Sequence, residues 1–170
     1  MTATNHALTG AVIALVIKQP ILAVPLAFVS HFVTDLVPHY NPPGMTRDKF
    51  QNYSESWSEK LAYKPFRFIF GMDMLLFVLV LSSAFFITHS SVSAWTVFFS
   101  SVAAASPDFV GGFEYLANSL LGYKAKKSGF WAKLADFHVR RLQWMERPWG
   151  IYVEIGWFAA MLSLILKIGR

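Results

Sequence analysis

Residues 6–39 read HALTGAVIALVIKQPILAVPLAFVSHFVTDLVPH. Two apolar runs, His6 to Ile17 and Ile21 to Val37, flank Lys18-Gln19-Pro20. Each run alone is shorter than the roughly 20 residues a membrane-spanning helix needs. Together they predict a helical hairpin turning at Lys18 to Pro20, tilted or partly shielded by neighbours. Pro25 falls inside the second helix and should bend it. Pro38 should end it, leaving His39 just beyond the last turn.

Further along, Phe66 to Thr88 is the clearest full span, and His89-Ser90-Ser91 turns tightly into Val92 to Ala105. A mixed segment, Ser106 to Pro148, precedes a last span from Trp149 to Ile168. Asn41-Pro42-Pro43-Gly44 opens a polar connection over 40–65 and breaks any helix there. Tyr53, Trp57 and Tyr63 suit head-group depth. The expectation is an all-α polytopic membrane bundle forming a single domain over 1–170. It has five spanning or near-spanning helices and an amphipathic interfacial helix at about Gly129 to Glu146. Trp131, Leu134, Leu142 and Met145 define the apolar stripe of that helix, with His138 in its middle.

Composition agrees. Of 170 residues, 55% are hydrophobic and only 15% charged, against about 45–50% and a quarter in soluble domains. The start, Met1 to Asn5, carries no basic residue, so no cleavable leader is expected. Without cysteine, disulfides and thiolate ligands are excluded. Five Lys and Arg lie in the connection 39–67 and seven in 107–148, against three elsewhere. That bias puts both long connections and the N-terminus on the cytoplasmic side of the membrane. The net charge of +5 also suits anionic lipid head groups.

His31, Asp35 and His39 are spaced i, i+4, i+8, so a helix could turn all three the same way. Two imidazoles and a carboxylate suit zinc or a similar first-row ion such as manganese. Ionisable groups at membrane depth are costly and mark function by default. The expected topology brings His6, Asp73, Asp108 and Glu154 to the same leaflet, and His138 faces the bundle. The candidate metal ligands are therefore His6, His31, Asp35, His39, Asp73, Asp108 and His138, with Asp73 in direct contact or one layer out. Each has a plainer reading. The His31–Asp35 pair could brace two helices, and His6 could be an interfacial histidine. Asp73 could pair with Arg67 or Lys64. Ser106-Pro107-Asp108 reads equally as a helix start. His138 could be a buried core histidine, and Glu154 could balance Arg147 or Arg140. His89 lies alone at a turn.

The order of these motifs resembles the small membrane-bound, metal-dependent hydrolase family of bacteria and archaea. The matching elements are His6-Ala7-Leu8-Thr9-Gly10, the Ser30-His31, Asp35 and Pro38-His39 series, and Pro107-Asp108. The likeness is close over 5–43 and loose elsewhere. His31, Asp35 and His39 are also similar to a motif of zinc-dependent phospholipases C, where it supplies ligands to a multinuclear zinc site that hydrolyses phosphate esters. Phe109 and Val110 follow Asp108 where the family pattern often has a further Asp and His. Leu142 follows His138 where the phospholipase pattern has Glu. The resemblance therefore implies one or two ions, not three.

The leading expectation is a metal-dependent phosphoesterase at the cytoplasmic membrane surface. Zinc would lower the pKa of a bound water toward 7 and polarise a phosphoryl oxygen, and a second ion would stabilise the leaving oxygen. Asp35 or Asp108 would bridge ions or orient the nucleophile. A lipid phosphate is the expected substrate, attracted by Lys124, Lys126, Lys127, Arg140 and Arg141. The rival is a non-enzymatic membrane subunit whose histidines and carboxylates brace the bundle, with or without a structural metal. An ion carrier needs a chain of groups across the membrane, whereas these gather on one side. No nucleic-acid motif is present.

Overall fold

The computed structural model describes residues 1–40, 61–87, 92–121, 137 and 146–168. Among them are five long helices: α1 Ala3–Ile17, α2 Pro20–Thr34, α3 Lys64–Ile87, α4 Ala94–Leu121 and α5 Gly150–Ile168. A two-residue parallel pairing joins β1 His39–Tyr40 to β2 Glu146–Arg147. The amphipathic helix expected at 129–146, with His138, falls outside the described residues, as do His89 and the connection 41–60.

The hairpin turns where the sequence breaks. Lys18 closes α1 in the left-handed region at φ 61°, its N–H bonding Ala14 O at 2.9 Å. Pro20 then opens α2, where its missing N–H costs nothing. α1 packs against all four other helices, while α2 lies on α1 and α4. Small residues are buried between the helices, among them Ala7, Ala11, Ala14, Ala23, Ala104 and Ala105, beside a core that includes Leu8, Leu15, Val97 and Ile165. A Cβ on Gly10 would lie 2.8 Å from Ser100 C and 2.9 Å from Ser101 Cα, so only glycine allows this α1–α4 approach. Close backbone packing over small residues is typical of helices associating in lipid.

α3 over Lys64–Ser83 and α5 over Gly150–Ile168 are each long and apolar enough to cross a membrane. Neither is an interior helix: Phe68, Leu75, Leu79 and Phe86 on α3, and Tyr152 and Ile155 on α5, point outward. α1 and α2, 15 residues each, reach about 22 Å. That is less than a hydrocarbon core of about 30 Å.

Two helix boundaries differ from the sequence expectation. α4 does not restart at Ser106; it runs straight through Pro107. Proline cannot donate to the carbonyl four residues back, which is Ala103 O. The Ser106 hydroxyl donates to that oxygen instead, at 2.9 Å. α2 stops at Thr34, earlier than Pro38 suggested. Leu36 N–H bonds Val33 O and Val37 N–H bonds Thr34 O, short i to i+3 bonds that tighten and end the helix. The chain then runs extended into β1, carrying His39 off the helical stripe.

Candidate metal centre

The start of α1 is buried, so its first amides need partners inside the protein. Two carboxylates from other helices supply them. Asp73 of α3 accepts from Ala3 N–H at 2.9 Å and Thr4 N–H at 3.1 Å. Glu154 of α5 accepts from Thr2 N–H at 3.1 Å, the Thr2 hydroxyl at 3.0 Å and Asn5 Nδ2 at 2.6 Å. Both negative charges also complement the positive end of the helix dipole. This clamp fixes the first turn of α1, and with it His6.

His6 is fully buried. Thr34 Oγ1 lies 3.0 Å from His6 Nδ1 and also 3.0 Å from both Ser30 O and His31 O. The hydroxyl has one proton, which goes to a carbonyl. It therefore accepts from His6 Nδ1–H, and Nε2 carries the lone pair of the neutral ring. His31 follows the same logic: its Nδ1 lies 2.8 Å from Ala104 O, an acceptor only, so Nδ1 donates and Nε2 faces the carboxylates. Asp35 caps α2 with helical dihedrals and its N–H on His31 O, which keeps it on the His31 face. Asp108 comes from α4, one turn past Ala104.

These four side chains converge. His6 Nε2 lies 3.1 Å from Asp35 Oδ1 and 3.7 Å from Asp108 Oδ2. His31 Nε2 lies 3.4 Å from Asp35 Oδ2 and 3.7 Å from Asp108 Oδ1. One donor atom from each lies within 4.8 Å of every other. His6, His31 and Asp35 are sealed from solvent, while the Asp108 side chain is 23% exposed and forms the open edge. The two rings stack at 3.9 Å, a separation at which two imidazolium ions would repel. His6 Nε2 is buried with no hydrogen-bond partner. The four side chains could hold a metal ion, and a nitrogen–oxygen set of this kind suits zinc or manganese; with a protonated imidazole the same contacts are ion pairs. The Met1 ammonium supplies one positive charge, donating to Asp35 Oδ1 at 2.7 Å. Burial pulls its pKa down, but Asp35, then Glu154 and Asp108, more than offset this and raise it from 8.0 to about 10.

Of the seven ligands expected from sequence, His6, His31, Asp35 and Asp108 come together, and His138 lies outside the described residues. Two lie outside this cluster. Asp73 has its carboxylate on the α1 amides, where it shapes the site without facing it. His39 sits on β1 with Nδ1 donating to Val37 O at 3.0 Å. Its backbone presses on α5 so closely that a Cβ on Gly150 would lie 2.7 Å from Tyr40 N. Glu154 binds Thr2 and Asn5, not an arginine. Sequence reasoning passed over Thr34 and Asn5. Their signal was present: uncharged polar residues in otherwise apolar helices, Thr34 three residues after His31 and Asn5 next to His6.

Comparisons with family models, with curated proteins and with solved structures give no match.

Proposed function

We propose that this chain is a polytopic membrane protein and a metal-dependent hydrolase of phosphate esters, its site at one end of the helical bundle. The observation that carries the reading is the meeting of two imidazole lone pairs and two carboxylates in a buried cluster, with His6 Nε2 lacking a hydrogen-bond partner. The membrane assignment draws on α3 and α5, whose large apolar residues face outward. The bias of Lys and Arg toward the connections supports a cytoplasmic orientation.

His6, His31, Asp35 and Asp108 would hold a zinc or manganese ion, which would supply Lewis acidity and a water nucleophile usable near neutral pH. The residues do the rest. Thr34 and Ala104 O hold the two rings with Nε2 inward, and α1 is fixed by Asp73 and Glu154. Asp108, at the open edge, is placed to orient the attacking water. In hydrolysis the water would form a new P–O bond as the ester P–O bond breaks, with its proton passing to the departing alcohol. Phospholipids are the favoured substrate class, because a site at the end of a membrane bundle opens at head-group depth.

The second reading, a bracing cluster in a non-enzymatic subunit, is favoured by the Met1 ammonium on Asp35, which already compensates one charge. Elemental analysis of detergent-purified protein separates the two. The hydrolase reading expects bound first-row metal and release of phosphate or a head group from anionic phospholipid vesicles, abolished by chelation. Asp35→Asn should reduce that release by orders of magnitude with helicity intact. Metal-free protein, inert with added zinc or manganese, decides for the bracing reading.

A further inference from the structure

The end of the bundle away from the cluster is marked by packing: Ala14, Leu15 and Ala23 of the hairpin share one apolar core with Val92, Val97 and Ile165. Counted from that end, three buried or half-buried acids fall in one layer. Asp73 lies 14 residues from Ile87, Asp108 14 from Ala94 and Glu154 14 from Ile168. At 1.5 Å per residue, each stands about 21 Å from the end of its helix. A hydrocarbon core of about 30 Å extends about 9 Å beyond that layer.

The near end gives the same figure independently. Tyr63, Lys64 and Arg67 at the start of α3, and Arg147 and Trp149 before α5, are residue types that settle at the head-group boundary. Arg67 is six residues from Asp73 and Trp149 five from Glu154, or about 9 and 8 Å along a helix. Between boundary and acids, Phe68, Ile151 and Tyr152 point outward, as side chains bathed in lipid would.

We propose that the His6, His31, Asp35 and Asp108 cluster lies about 8–9 Å beneath the cytoplasmic boundary of the hydrocarbon and takes a lipid of small head group drawn down from that leaflet, a phosphate monoester of diacylglycerol. This rests on the membrane and metal-dependent readings above and deepens them. The opening at head-group depth leads to reacting groups one to two helical turns lower. The exposed edge of Asp108 borders acyl chains there, so a ligand arrives through the leaflet and not from bulk water. Every polar group carried below the boundary loses its water. A phosphate monoester presents all its polar atoms to the cluster, whereas a choline or a sugar beyond the phosphate would be stranded among acyl chains. Hydrolysis would break the bond from phosphorus to the glycerol oxygen. The water's oxygen would leave on inorganic phosphate and its proton on diacylglycerol.

The test uses the full chain in phosphatidylcholine vesicles. It has no cysteine, so single nitroxide labels can be placed through Met72→Cys and Ile155→Cys, exposed neighbours of Asp73 and Glu154. Trp149→Cys and Leu79→Cys mark the boundary and the interior. Power saturation should show the labels at 72 and 155 at one common depth between the two markers, relaxed by oxygen more than by a water-soluble nickel chelate. If 72 and 155 meet the chelate as freely as 149 while 79 stays protected, this proposal falls and the membrane reading stands. If all four meet it equally, both fall. The unsubstituted chain with added manganese should release inorganic phosphate from vesicles containing phosphatidic acid, and none from glycerol 3-phosphate. Equal release from the two overturns this proposal alone. Release from neither removes the phosphoesterase reading and this proposal with it.

Discussion

The first turns of α1 and the outer faces of α2, α3 and α5 invert the usual arrangement of a water-soluble protein. Thr4, Asn5, His6 and Thr9 are buried, whereas Ile21 is 80% exposed, Phe86 77%, Tyr152 76% and Phe68 70%. In water such outer faces would drive aggregation, since soluble monomers rarely show apolar patches beyond a few hundred Å². In lipid they cost nothing, and it is the polar interior that must be paired. The interior meets that demand: Trp157 Nε1 donates to Thr9 Oγ1 at 2.9 Å, Thr9 donates to Asn5 O, and Glu154 and Asp73 take the α1 amides. Exposed apolar faces thus mark the outside, and hydrogen bonds fix the polar start of α1 inside.

The largest effect that could break this contrast lies in the cluster itself. His31→Ala should lower zinc or manganese affinity by orders of magnitude, while His39→Ala leaves it within a few-fold, as calorimetric titration would read. Equal losses from the two would mean that His39 belongs to the site after all. Next in size is the clamp. Glu154→Ala strands the Thr2 amide and hydroxyl and should cost about 3–5 kcal/mol in denaturant unfolding of detergent-solubilised protein. A change below about 0.5 kcal/mol would show that the α1 start is held otherwise.

The outer face should respond to charge more than to size. Leu75→Arg, at the middle of α3, should cost about 2.5–3.5 kcal/mol in a membrane-insertion assay. A neutral result would place α3 against water and undo the comparison. Smallest among the costly changes is Gly10→Ala, which has no room against Ser100 and Ser101. Overpacking of that kind costs about 1–3 kcal/mol. Ile21→Ala, by contrast, should stay within about 0.5 kcal/mol in detergent.

Much of the helical layout was legible. The break at Lys18-Gln19-Pro20 fixed the hairpin, and the apolar runs located α3 and α5. What misled was proline. Pro107 reads as a helix start, yet the Ser106 hydroxyl takes over the orphaned Ala103 carbonyl and α4 continues. Pro38 reads as the stop of α2, yet the chain leaves the helix after Thr34 through its own short turn. The i, i+4, i+8 spacing held for His31 and Asp35 and failed for His39, because spacing fixes a face only while the helix lasts.

Sequence by itself determined which residues could carry the chemistry and which end of the chain's helices they occupy, because hydrophobic periodicity and charge placement are local properties. Tertiary structure decided the roles. Whether a buried carboxylate faces an imidazole or a helix terminus depends on which unsatisfied donor packing brings within about 3 Å. Asp35 and Asp108 meet lone-pair nitrogens from α1 and α2. Asp73 and Glu154, also acids in apolar helices, meet the donors at the start of α1. What lies across from each carboxylate sets its role. No pattern along one strand of sequence encodes the distance to another helix.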